Sequence, residues 1–397
     1  MEKEKIREEI KKRIKNLQKL MKKEGIDGAL IIGKVALYYL AHTDQDCHLF
    51  IPTDEDPILM VRKDLGRAQN DSPLPNIIEL NSLSGLVKII SDSLSINGSV
   101  IGLELDIIPV NTYMRYRDIL EGCTLVDISP LIRDMRMVKS EYELSLVQKA
   151  AQLGDELLEE IPKMIKDVET ELDLAALAEA FYRRRGHPGI TRMRTFNMES
   201  IYGHIISGYA AATQGNSPGP TAGWGVGPFL SHGSSFKKIQ SHEPILVDYS
   251  SNFMGYISDQ TRIFSIGDID KDLRDIHQKM IMIQNEVAKR GIPGTPASDL
   301  YSLAIEMVKE MGLKDGFMGF PKPVPFIGHG VGLELDEWPV IGRNFNIRLK
   351  KGMTIALEPK FLIPEKGVVG VENTFVVTEQ GMKKLNRFPD DIFIIDH

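Results

Sequence analysis

The sequence is short of cysteine. Cys47 and Cys123 are the two among 397 residues, and their spacing fits no metal-ligand pattern. A disulfide framework is thereby excluded, and a reducing compartment fits. Long apolar runs are missing too: none reaches the roughly 18 residues of a membrane span. The stretch 1–28 alternates lysine with glutamate, which is too charged for a signal peptide and reads as a solvated helix face. We expect a cytoplasmic protein with no membrane partner. Net positive charge is absent too: 48 Lys and Arg stand against 55 Asp and Glu, for a formal net charge of -7. That excludes the basic face that nucleic acid requires. Internal repeats and low-complexity segments are absent. What remains is an ordinary composition, 42% apolar and 26% charged, in a chain long enough for two domains with a sizeable core.

Apolar residues recur at helical period over 4–24 (Ile6, Ile10, Ile14, Leu17, Leu20, Met21), with Gly25 as the stop. Strand-like runs follow at 29–33, 57–62 and 99–105, with helical patterns at 83–94 and 111–120. This alternation predicts an α/β domain over 1–136. A second domain, 137–397, opens with a long helix. Ser140 caps it, and Glu143 three residues on completes a capping box. Further helices are predicted at 170–185, 270–290 and 295–312, and strands with turns over 325–395. The Gly/Pro-rich segment 207–229 reads as a long loop, the kind that carries function.

Acids stand out in the second domain. VDYSSNFMGYISDQTR (247–262) reads as a hairpin. With the turn centred between Phe253 and Met254, Asp248 and Asp259 face each other among apolar neighbours. Like charges placed so are destabilising, and burying them unpaired costs several kcal/mol. A cation between them resolves the conflict. IALEPKFLIPEKGVVGVENTFVVTE (355–379) repeats the device. Centred on Glu365, it opposes Glu358 and Glu372. Between the two hairpins lies His329, flanked by Gly328 and Gly330, where backbone and ligand can approach closely. Four carboxylates and an imidazole suit Mn²⁺, Fe²⁺, Co²⁺ or Zn²⁺. Four negative charges are about what two divalent ions neutralise.

GYISDQTRIF (255–264), GHGVGL (328–333), ALEP (356–359) and GVENTFVVTE (370–379) resemble, in order and spacing, the creatinase/prolidase/methionine-aminopeptidase family. The N-terminal domain and RMVKSEYELSLVQKAAQ (136–152) resemble its Xaa-Pro aminopeptidase/prolidase branch. The resemblance implies a creatinase-like α/β N-terminal domain followed by an α+β pita-bread catalytic domain. It implies a two-metal centre, manganese favoured, with Asp248, Asp259, His329, Glu358 and Glu372 as ligands. Asp259 and Glu372 would bridge the ions. Glu358 would also shuttle a proton, and His232 would contact the substrate or the leaving group. His204 and His242 are left as structural or surface residues. The implied partner is a small peptide, the implied assembly a homodimer, and the N-terminal domain would act as a lid.

Two positions depart from the family pattern. Where prolidase-type members carry a second histidine, seven residues after the ligand histidine, this chain has Asp336, an acceptor able to bind an amine of the substrate. Where they carry arginine, two residues before the last glutamate ligand, it has Gly370. These departures keep a second expectation in view, a hydrolase or lyase of a small non-peptide substrate. A non-catalytic binding module is the third, disfavoured because all five ligand positions are filled.

Overall fold

The structure is a computed structural model and describes residues 2–198, 201–216, 218–313 and 315–396. It divides into two compact units, Met1–Arg136 and Met137–His397.

In the first unit, the helix Glu2–Glu24 buries Ile6, Ile10, Ile14, Leu17 and Met21, the stripe set by the sequence period. It ends at Gly25, whose φ of 68° suits a left-handed helix stop. A six-stranded sheet is ordered Asn76–Glu79, Ile58–Val61, Cys47–Pro52, Gly28–Ile31, Val100–Leu103, Thr124–Asp127. Three of these strands match the apolar runs. The central strand Cys47–Pro52 is buried at every residue, so it has no solvent face and no period-2 signal. Its pattern could not be told from loop.

In the second unit, the helix Glu141–Met164 starts at the expected capping box. The Ser140 amide donates to Glu143 Oε2 at 2.9 Å, and the Glu143 amide donates to Ser140 Oγ at 3.2 Å. The helices Glu171–Arg184, Lys271–Arg290 and Ala297–Glu310 follow. One sheet is ordered Phe393–Ile395, Tyr256–Ile266, Ile245–Phe253, Gly203–Ser207. A second is ordered Glu337–Gly342, Phe326–Gly330, Thr354–Leu357, Asn373–Thr378, Gly381–Lys384, and a third pairs Lys360–Ile363 with Gly367–Gly370. Helical Met280, Ile283, Leu300 and Ala304 pack into one core with Ile327, Ile355, Leu357 and Phe375 of the second sheet. This apolar backing fixes the strand that carries His329 and the strands that flank Glu358 and Glu372.

The two hairpins answer the expected registers differently. In the first, the two-residue loop is Met254–Gly255, with φ of 51° and 85°. Two positive φ values in such a loop favour the primed turns that match strand twist. Gly255 therefore takes the second loop position, and the centre moves one residue on. Asp248 then pairs with Thr261, and Asp259 with Ser250. The acids are diagonal neighbours, not directly opposed as expected. A shift of two positions preserves the strand period, so both still share one face. In the second hairpin, Lys360 pairs with Gly370 and Leu357 with Asn373, the alignment expected around Glu365. Between those rungs the Val371 amide still donates to the Pro359 carbonyl at 3.2 Å, but the two glutamates turn to other strands. The Glu358 amide donates to the Ile327 carbonyl at 2.9 Å, while Glu372 and Thr261 exchange backbone hydrogen bonds at 3.3 Å. That exchange joins the two hairpins and brings their acids together.

Candidate metal centre

Thr261 and Glu372 are the junction on which the site is built. Besides the backbone exchange, Thr261 Oγ1 donates to Glu372 Oε2 at 2.8 Å. Next to it Arg262, fully buried, donates through Nη1 to both carbonyls of the junction, Thr261 and Glu372, at 2.8 Å each. Its other nitrogens reach Pro389, Phe388, Asn373 and Asp390. A planar guanidinium offers five donors in fixed geometry, which a lysine there would not match. Burial lowers the Arg262 pKa to about 10, with Asp390 opposing the shift, so it keeps its charge at neutral pH. The lone basic residue of an apolar strand, in DQTRIF, was the available signal.

Around this junction stand the five expected ligands. Asp259, Glu358 and Glu372 are buried. His329 Nε2 lies 3.9 Å from Asp259 Oδ2, 3.7 Å from Glu358 Oε1 and 4.0 Å from Glu372 Oε1. Asp248 lies on the far side of the group. Its Oδ2 meets a residue that sequence reasoning passed over, Lys360. The Lys360 ammonium is 2.9 Å from Asp248 Oδ2, 3.0 Å from Glu358 Oε2 and 2.8 Å from Glu372 Oε2. The signal was parity. In EPK, Glu358 and Lys360 are two apart, and residues two apart in a strand share a face.

The electrostatics divide the cluster. Burial alone would raise Asp248, but Lys360 and then His204 outweigh it and hold its carboxyl below the usual range. Asp259 goes the other way, pushed well above it by burial and then by Glu372 and Asp248. Glu372 is pushed up to about 7, by burial first, against the pull of Lys360. Lys360 itself is raised, because the three carboxylates outweigh the desolvation that would lower it. The Asp259 end therefore lacks positive charge.

A divalent ion fits that end. Donor atoms of Asp259, His329 and Glu372 lie within 4.8 Å of one another. Glu372 Oε1 is buried and has no hydrogen-bond partner among the described residues. Buried polar atoms are ordinarily satisfied, and an anionic one next to an imidazole and a second carboxylate is a metal donor set.

The histidines are redistributed. His204, expected to be structural or at the surface, is buried on the strand Gly203–Ser207 and pairs in register with Asp248. Its Nε2 is 3.8 Å from Asp248 Oδ2 and 3.3 Å from Thr221 Oγ1. Its Nδ1 is 3.2 Å from Nε2 of the half-buried His232. His232 thus reaches the acids through His204. Burial lowers both, His204 to about 3, so both are neutral. The signal for His204 was its place in the strand-like GHIIS. His242 is exposed, with Nδ1 2.7 Å from the Asp268 carbonyl oxygen, as a surface residue should be. Asp336 does not present a free carboxylate to a substrate. Its oxygens accept from the Arg194 amide at 2.7 Å, the Thr195 amide at 2.8 Å and Thr195 Oγ1 at 2.5 Å. It ties down the loop at 194–195. Gly370 has no room for a side chain, since a Cβ there would meet the Pro359 carbonyl oxygen at 2.5 Å.

An α/β unit followed by an α+β unit whose sheets carry paired acids and a histidine defines a pita-bread metallopeptidase. The comparisons agree. Residues 145–379 match the model of metallopeptidase family M24, and residues 13–138 match the creatinase/prolidase N-terminal domain. The chain belongs to metallopeptidase family M24. It is 26% identical to an Xaa-Pro dipeptidase of Pyrococcus furiosus, over 95% of this chain and 98% of that protein. Among solved structures it resembles an X-Pro aminopeptidase of Thermotoga maritima, with TM-score 0.79 and 23% identity over 96% of this chain and 99% of that one. It also resembles the prolidase of Pyrococcus horikoshii, with TM-score 0.78 and 24% identity over 95% of this chain and 99% of that one. Among the described residues, no helix is long and apolar enough to cross a membrane.

Proposed function

We propose that this chain is a metal-dependent peptidase that cleaves the bond before proline, in Xaa-Pro dipeptides or at the N-terminus of short Xaa-Pro peptides. The observation that carries it is the donor set of Asp259, His329 and Glu372, in which the buried Glu372 Oε1 has no hydrogen-bond partner among the described residues. The set lies within the residues that match the metallopeptidase model. These residues, with Glu358 beside them, would hold a divalent ion, manganese favoured among Mn, Co, Zn and Fe. When bound, the ion lowers the pKa of a water toward about 7 and polarises the scissile carbonyl.

The protein's own residues do the rest. Glu358 keeps Oε2 on Lys360 and leaves Oε1 facing His329, where it can take a proton from an attacking water and return it to the leaving nitrogen. Lys360 fixes Asp248 and Glu372 against mutual repulsion. His232, neutral and oriented by His204, offers a ring nitrogen to the substrate carbonyl or to the leaving group. His204 is in turn held by Thr221 and Asp248. The reading places the protein in the cytoplasm, where its free cysteines are stable, and as a homodimer.

The test is a substrate panel. Xaa-Pro dipeptides, longer Xaa-Pro peptides and matched Xaa-Ala controls are incubated with enzyme loaded with Mn²⁺, Co²⁺ or Zn²⁺. Turnover confined to Xaa-Pro bonds is expected. Equal turnover of the alanine controls, or none by the metal-loaded enzyme, sinks the proposal. The closed space at Gly370 and the engagement of Asp336 by its loop favour a second reading, hydrolysis of a small non-peptide amide. Turnover of simple amides without peptide turnover would select it.

A further inference from the structure

The family pattern implies two metal ions, but the geometry points to one. We propose that the Lys360 ammonium permanently takes the place of one divalent ion, leaving a centre that binds a single ion between Asp259, His329, Glu358 and Glu372. This rests on the metal site of the proposed function and concerns how many ions that site takes.

The first argument is occupancy. An ammonium has three N–H donors. Those of Lys360 meet three oxygens on three different carboxylates, at 2.8 to 3.0 Å. A divalent ion bound by the same oxygens would stand about 2.0–2.2 Å from each. That puts it against Nζ, with like charge.

The second argument is how the carboxylates share their oxygens. Glu358 gives Oε2 to Lys360 and turns Oε1 to His329. Glu372 gives Oε2 to Lys360 and Thr261 and turns Oε1 to His329. Asp248 faces the ammonium side and Asp259 the imidazole side. Each of these two glutamates thus spends one oxygen on the lysine and keeps the other on the His329 side. The separations from His329 Nε2, 3.7 to 4.0 Å, lie within the span of two donors on one ion with bonds of about 2.0–2.2 Å.

The third argument is that the lysine cannot withdraw. Its side chain is 2% exposed. Its strand is held on one edge by Gly370. On the other, the Met318 amide donates to the Lys360 carbonyl at 2.9 Å. Gly370 packs so closely that a Cβ on it would lie 2.7 Å from Lys360 Cα and 3.1 Å from Lys360 Cγ. The backbone around the lysine is thus pinned and its stem closely packed, unlike a surface lysine that could swing aside for an incoming ion.

The experiment counts ions. The full-length protein is stripped with a chelator, loaded with Mn²⁺ and gel-filtered. Metal per chain is then measured by mass spectrometry, and the manganese by electron paramagnetic resonance. Wild type should retain one Mn²⁺ per chain with an uncoupled six-line spectrum. Lys360→Gly and Lys360→Met should retain two per chain with a spin-coupled signal, while Lys360→Arg should stay at one. Circular dichroism establishes that each variant is folded, and the wild-type count is decisive even where a variant is not. Two ions per wild-type chain, or folded Lys360→Gly and Lys360→Met that stay at one, overturn the role of the lysine and leave the metal site standing. No retained ion in wild type overturns the metal site, and this inference with it.

Discussion

Asp248 and Asp259 stand on the same face of one hairpin, two rungs apart, yet their surroundings are opposite. Asp248 faces a lysine, with a neutral histidine behind it. Asp259 faces an imidazole and further carboxylates, and no lysine or arginine among the described residues forms an ion pair with it. One end of the cluster is neutralised by the chain itself, and its carboxyl is held below the normal range. The other end is left deficient, and its carboxyl is pushed far above that range. A buried acid is tolerable when paired and costly when not. The contrast therefore separates structural charge from charge reserved for a ligand.

The sharpest way to break this contrast is at the deficient end. Asp259→Asn should abolish Mn²⁺ retention and, with it, peptidase activity down to background, as measured by metal analysis and turnover on one preparation. At the neutralised end, Lys360→Met should cost the metal-free protein about 3–5 kcal/mol, the usual penalty for orphaning buried charges, as read from urea unfolding. Added Mn²⁺ should restore more of that loss than it adds to wild type. His232→Gln should lower kcat by roughly 10²-fold, at the low end for a lost hydrogen bond to the reacting carbonyl, with metal retention unchanged. His204→Gln, acting through His232, should give a smaller loss and a shifted pH profile.

The pH dependence follows from Asp259 and Glu372, both raised on folding. Between the unfolded value near 4.5 and the folded value of about 7 for Glu372, the native state binds more protons than the unfolded one. Stability of the metal-free protein therefore falls as pH rises through that window. Thermal melts in chelator should show Tm higher at pH 5 than at pH 8, and saturating Mn²⁺ should reverse the order. A flat profile would show that the Asp259 end is not short of charge. The smallest effect is expected at Asp336→Asn. Weakening a hydrogen bond to the loop at 194–195 should cost about 1 kcal/mol and leave KM for an Xaa-Pro dipeptide unchanged. A large rise in KM would return Asp336 to the substrate.

The acids were legible in the sequence because charged residues in buried strands break an otherwise apolar pattern, and period 2 then fixes their face. Their exact partners were not. Which residues take the tight loop at 254–255 moved the centre of the first hairpin by one residue and its pairing by two, and only backbone torsions reveal that. Lys360 carried the same parity signal as Glu358, but a lysine in a strand is commonly an edge residue. Only the fold shows that this one points inward. His204 carried a strand signal in GHIIS, but its partner was beyond reach, because Asp248 lies 44 positions on and is brought to it by strand pairing. The long helices of both units were readable from period and caps, but the short ones at Lys34–Ala41, Leu65–Asp71 and Ser129–Met137 were not, because two turns or so are too few to establish a period. Nor was the fully buried strand Cys47–Pro52.

The junction of Thr261 with Glu372 spans 111 residues of chain. Every proposed ligand is placed relative to it, so no short segment can assemble the donor set. The chain must close a very long loop first, and such contacts are slow to form. Metal capture would then time the end of folding rather than seed its beginning: ion uptake after dilution from denaturant should track the slowest refolding phase, however much ion is supplied.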